Sequence, residues 1–176
     1  MEIPSRRAGG SGMNGMHLAE FNFGFLKLGW DHPSVQDFLN GLDRVNQIAN
    51  QMPGYVWRLP DEEMNAAQQD PDGPFGGNAR AASTLSVWTD AASLEQFVWN
   101  TVHRQYYARK AEWYDAIGNG NLVLWWVSVG HRPSAAEGMA RWQHMTAHGD
   151  GDQAFGWSYL KEAHLWKSHG CAQAAE

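Results

Sequence analysis

The sequence predicts an α+β fold of the ferredoxin-like kind: a βαββαβ unit with a helix and a short strand added at the C-terminal end. Three observations carry this. Segments of twofold and 3.6-fold hydrophobic period follow one another in that order. The 176 residues, 43% of them hydrophobic, suffice for one core and one domain. No internal repeat and no apolar run near 18 residues interrupts the pattern, so a membrane-spanning helix is not expected.

Residues 1–16 are rich in Gly, Ser and Met without periodicity and are expected to form a disordered leader; two arginines without an apolar stretch make no signal peptide. The domain is expected over 17–160. Its first strand starts at His17, with Ala19, Phe21 and Phe23 alternating with Leu18, Glu20 and Asn22. Asp31-His32-Pro33 opens a helix whose Val35, Phe38, Leu39, Leu42, Val45 and Ile48 recur at helical spacing until Pro53-Gly54 stops it. Tyr55–Leu59 is a short strand. The polar stretch 60–80 reads as a long connection and a candidate lid. Ser83–Thr89 is the third strand, and Asp90 caps a long amphipathic helix to about Ile117. The run 121–129 is apolar enough to be a central strand. Ser134-Ala135-Ala136-Glu137 is a capping box for a helix to about His148. Phe155–Tyr159 is a candidate fifth strand, and 161–176 a tail.

Both helices of such a unit lie on one sheet face, and the other face needs cover. A second copy supplies it, so a homodimer with sheets face to face, a dimeric α/β barrel, is expected.

Thirteen Lys+Arg against nineteen Asp+Glu leave a net charge of -6 with no basic tract, which argues against nucleic acid as a partner. The single cysteine, Cys171, allows no internal disulfide and no thiolate cluster, and a reducing, cytoplasmic setting is expected. No G-x-G-x-x-G, Walker A, G-x-S-x-G or C-x-x-C occurs. Nucleotide cofactors on familiar loops, elbow-type serine hydrolysis and thiol redox chemistry are therefore disfavoured.

The anomaly is aromatic: ten tryptophans beside five tyrosines and seven phenylalanines. Tryptophan suits pocket walls and interfaces, because its large ring carries an N–H that wants a partner. A cavity is expected between the sheet and the second and third helices, walled by Phe21 or Phe23, Trp57, Trp88, Trp99, Trp113 and Trp125 or Trp126. His103, Arg109 and His131 would supply its polar groups. Trp125 and Trp126 are adjacent on a strand and must face opposite ways. Arg58, next to Trp57, needs an anion or exposure. His103 is open to three roles: a satisfied helix histidine, an acid/base, or an iron ligand. His131 is open to a site role or to turn and capping chemistry. His144 and His148 have i,i+4 spacing without H-E-x-x-H, a weak metal signal.

Several segments together resemble the family known as DUF3291. They are His17-Leu18-Ala19-Glu20-Phe21-Asn22, Leu42-Asp43-Arg44-Val45-Asn46, Pro53 to Leu59, Ser86-Val87-Trp88, His103, Arg109 with Glu112-Trp113-Tyr114, Val123 to Val127, Gly130-His131-Arg132-Pro133 and His148-Gly149. The resemblance implies kinship with dimeric α/β-barrel proteins, among them antibiotic-biosynthesis and haem-degrading monooxygenases. By that likeness Asn22, Trp88 and His103 would serve a cofactor-independent monooxygenase acting on an apolar aromatic or polycyclic substrate. His103 would accept the proton, and Arg109 or Asn22 would hold the developing oxyanion. Alternatively the likeness makes His103 an iron ligand, with haem as cofactor. A third reading is a non-catalytic small-molecule-binding or interaction protein.

Overall fold

A computed structural model describes residues 15–115 and 121–160. The leader up to residue 14, the expected helix end at Ile117-Gly118, and the tail with Cys171 lie outside the described residues. Four strands, β1 (Met16–Phe25), β2 (Tyr55–Arg58), β3 (Ala81–Trp88) and β4 (Leu122–Ser128), form one sheet in the order β2-β3-β1-β4. Every neighbouring pair is antiparallel. This is the ferredoxin-like strand order, and the longest strand, β1, sits at the centre with β3.

Among the described residues six α-helices flank the sheet: α1 (Gln36–Ala49), α2 (Asp61–Gln69), α3 (Ala91–Asn100), α4 (His103–Ala108), α5 (Lys110–Trp113) and α6 (Ala135–His148). Their starts follow the expected chemistry. His32 Nδ1 accepts from the Ser34 N–H at 3.1 Å, with Pro33 at the first position of a 3-10 turn leading into α1. Asp90 caps α3 by accepting from the Ser93 N–H at 2.8 Å, and Ser134 caps α6 through the Glu137 N–H at 3.2 Å.

Alternation splits the strands between two faces. Leu18, Trp88 and Leu124 pack with α1 and α3 on one face. On the other, Ala19, Phe21, Phe23, Leu85, Val87, Val123 and Trp125 are buried beneath α2, Phe75 and α6. The second face is therefore covered within the chain. Phe21, Val123 and Trp125 are all 0% exposed, so the bare apolar surface that called for a barrel partner does not exist among the described residues.

Three expectations about single elements are corrected. The stretch 60–80 is not an open connection: Pro60 leads into α2, whose Met64 and Gln68 are buried. The long second helix is three pieces. At Thr101 the backbone turns extended (φ -120°, ψ -175°), and its Oγ1 donates to the Phe97 carbonyl at 2.6 Å while accepting from the His103 N–H at 3.2 Å. A short side chain thus competes with the helical ladder and ends it. The fifth strand reduces to a bridge, with Phe155 exchanging two backbone hydrogen bonds with Leu124 (2.8 and 2.9 Å) before a 3-10 turn at Trp157–Tyr159.

Candidate functional site

Strand register lays out the site floor. On the face beneath α1 and α3, cross-strand neighbours form three rows: Tyr55, Trp88, Leu18 and Trp126; then Arg58, Ser86, Glu20 and Leu124; then Thr84, Asn22 and Leu122. The first row is therefore apolar, and polar groups run through the second and third. The roof does not close down on it. In α1 only Gly41 and Ala49 are buried, while Phe38, Leu42 and Val45 of its apolar stripe stay half-buried. Tyr106 of α4 packs where a side chain at Gly41 would stand. A helix held off the sheet leaves a cavity of about 540 Å³, lined on the floor by Glu20, Asn22, Arg58, Ser86 and Trp88 and above by Phe97, Trp99, His103, Tyr107 and Trp113. That size suits a small organic molecule.

Glu20 is the chemical centre of the floor. Its carboxyl is buried, and each oxygen receives one fixed donor: Asn22 Nδ2 to Oε1 at 2.5 Å and Ser86 Oγ to Oε2 at 2.9 Å. The donors are themselves fixed. Trp88 Nε1 donates to Ser86 Oγ at 2.9 Å, which leaves the serine hydrogen for Glu20, and Asn22 also donates to Thr84 Oγ1 at 2.8 Å. Burial pushes the Glu20 pKa up to about 7, and the hydrogen bonds from Asn22 and Ser86 oppose that rise. A carboxyl poised near neutrality can take or give a proton.

His103 begins α4 on the roof. Its ring lies 5.1 Å from Phe97 and 6.4 Å from Tyr107, centroid to centroid. Burial pushes its pKa down to about 4, against a hydrogen bond to the Val98 backbone. It is a neutral imidazole at pH 7, and its Nδ1 is buried without a hydrogen-bond partner. Arg58 completes the polar row at the β2 edge, with Nη1 on Asp61 Oδ1 at 2.6 Å.

Of the expected site residues, Asn22, Arg58, Trp88, Trp99, His103 and Trp113 meet around this cavity. The others do not. Arg109 is exposed and bound to Glu112 (3.0 and 2.8 Å) and Asp37 (3.2 Å), with its guanidinium 4.7 Å over the outer side of the Trp113 ring system; it ties α5 to α1. His131 pairs with Glu137 at 2.8 Å on the turn before α6. Phe21 and Trp125 stand at positions of β1 and β4 that point to the other face. There Phe21 meets α6, and Trp125 donates to Glu137 Oε1 at 3.0 Å. Phe23 touches the cavity margin, but its ring packs edge-on against Trp142 at 5.0 Å. Trp57 also serves the second face, beneath the Arg132 guanidinium at 5.9 Å. Trp126 shares the site's face yet packs on Phe155 beyond the cavity. Glu20 and Ser86 were missed as site groups. Their signal was present: Glu20-x-Asn22 and Thr84-x-Ser86-x-Trp88 put polar residues at alternate positions of two central strands.

Residues 17–171 match the family described as "Domain of unknown function (DUF3291)". The chain belongs to that family. No curated protein matches it. Among solved structures, a protein of unknown function from Nitrosomonas europaea shows 12% identity over 70% of this chain and 99% of its own, with a TM-score of 0.42. So distant a likeness carries no argument about the site.

The iron-ligand expectation for His103 can be tested on this DUF3291 chain itself. A haem needs an accessible imidazole nitrogen and cations for its propionates. His103 lines the cavity, but its Nδ1 atom is buried without a hydrogen-bond partner, which leaves Nε2 as the nitrogen that would have to meet iron. Of the cavity's cations, Lys110 is engaged by the Tyr107 hydroxyl at 3.2 Å and Arg58 by Asp61 through Nη1 alone, so two propionates would have one guanidinium between them. One ring nitrogen for iron and one guanidinium for two propionates fit a haem poorly, and no haem chemistry is assigned.

Proposed function

We propose that this protein is an acid–base enzyme that binds an apolar, ring-bearing small molecule in the cavity and moves a proton on it with Glu20. The observation that carries this is a carboxyl shut away from water on the floor of an aromatic-walled cavity, oriented by two donors and balanced near neutral pH. In the forward step a carboxylate oxygen of Glu20 takes a proton from a carbon beside a ring carbonyl. The C–H electron pair stays on the substrate as an enolate. Asn22 and Ser86 are positioning residues: they hold the carboxyl and stabilise its charged form. His103, neutral and closed in, is a wall and not the base. Given O2 as co-substrate, the same enolate opens a cofactor-independent oxygenation. Without O2, returning the proton elsewhere is an isomerisation.

Proton removal can be read without knowing the natural substrate. Purified protein in D2O with 1-indanone or 2-tetralone, followed by NMR, should exchange the protons beside the carbonyl faster than buffer does. The excess rate should rise with pH through about 7, following Glu20 ionisation. Glu20→Gln should lower it by roughly 10²–10⁴-fold. Binding without exchange, or equal exchange by wild type and Glu20→Gln, would overturn the assignment and leave a carrier.

A further inference from the structure

We infer that the substrate carries an anionic group, a carboxylate or its like, which docks on Arg58 while its ring reaches Glu20; this rests on the acid–base reading above. Arg58, Ser86 and Glu20 are consecutive members of one cross-strand row. Two strand spacings put the Arg58 and Glu20 backbones roughly 10 Å apart on the same face, a span that a ring bearing a short acidic arm can bridge. Both residues line the same cavity.

The hydrogen-bond accounting at Arg58 points the same way. Its side chain is only 19% exposed, whereas that of Asp61, its partner, is 71% exposed. A guanidinium offers five N–H donors in a fork suited to a carboxylate. In this structure Nη1 alone is engaged by a described residue. A guanidinium on a side chain only 19% exposed, lining the cavity with most of its donors engaged by no described residue, is a place for an anion to dock. The other charged groups around the cavity are occupied. Lys110 sits on the Tyr107 ring at 4.3 Å, and Asp150 accepts from the Gly156 N–H and the Ser158 hydroxyl, both at 2.9 Å. Asp61 holds the Arg58 fork at one nitrogen from the solvent side, so an incoming carboxylate competes with it and does not have to create the site.

The test compares acids with their amides on the full chain by calorimetry at pH 6: 2-naphthoate against 2-naphthamide, and indole-3-acetate against indole-3-acetamide. Wild type should bind each acid roughly tenfold or more tighter than its amide. Arg58→Gln should erase that preference. Asp61→Asn, which removes the competing carboxylate without touching the core, should widen it. Glu20→Gln should keep it while losing deuterium exchange. Equal binding of acid and amide by wild type, a preference that survives Arg58→Gln, or an Asp61→Asn variant that binds acids no tighter, overturns the role of Arg58 and leaves that of Glu20 standing. Failure of all four probes to bind overturns both together.

Discussion

Glu20 and His103 set two titrations of opposite sign in one cavity. Glu20 holds its proton more tightly folded than unfolded, with its pKa raised from 4.5 to about 7. Its contribution to stability is therefore full below about 4.5 and is lost as pH rises through 7. His103 is lowered from 6.5 to about 4, so its contribution is full above 6.5 and is lost as pH falls through 4. Each slope is about 1.4 kcal/mol per pH unit, and between roughly 4.5 and 6.5 they cancel. Urea midpoints of the wild type should hence be nearly flat there. Glu20→Gln should expose the histidine slope, with stability climbing by up to about 3 kcal/mol from pH 4 to 6.5; His103→Gln should expose the opposite fall toward pH 7. A wild-type profile as steep as either variant would show that one of the two shifts is absent. The same pair shows what the sequence made legible at this scale. His103 stands out in any reading because imidazole is rare and versatile. Glu20 does not, because a glutamate on a strand reads as its solvent side. Only the pairing of β1 with β3 reveals that Ser86 and Asn22 surround it.

At the scale of elements, α6 and α1 make opposite contacts with the sheet. Gly138 of α6 lies directly on β1: a Cβ there would stand 2.6 Å from the ring of Phe21, which is fully enclosed and has nowhere to move. Glycine to alanine inside a helix ordinarily stabilises by about 1 kcal/mol. Gly138→Ala should instead destabilise by about 1–2 kcal/mol, because overpacking a closed core costs more than the propensity gain. A raised denaturation midpoint would show that α6 can ride off the sheet. The sequence located β1, α1, β3, β4 and α6 by a full apolar stripe or alternation, the short strand β2 by the turn signals around it, and the start of α3 by its Asp90 cap. What it missed has a physical cause in each case. Within Asp61–Gln69 only Met64 and Gln68 are buried, too thin a stripe to announce α2. The apolar period runs on through Thr101, so the break there is invisible until its hydroxyl is seen bonded to Phe97 and His103. Phe155 pairs with Leu124 alone, which no alternation over 155–159 could distinguish from a strand.

The whole molecule is a sheet between two unequal layers, one packed against it and one vaulted above it. Because α2, Phe75 and α6 occupy the face through which ferredoxin-like sheets close a barrel, a second copy has no apolar surface to cover there. The edges are blunted as well. β2 is four residues long and carries a register shift between Tyr55 and Trp57, and β4 is capped at Leu124 by both backbone bonds of Phe155. Among the described residues, the large hydrophobics that remain exposed are scattered: Val56 lies at one edge of the sheet and Val129 beyond the other, with Leu28 after β1 and Tyr159 in the 3-10 turn. Single exposed apolar residues of this sort do not assemble a stable interface. Sedimentation equilibrium at micromolar concentration should therefore return one species near the chain mass of 19.7 kDa. A mass of twice that value, persisting on dilution, would mean that α2 or α6 yields its place on the sheet to a second copy.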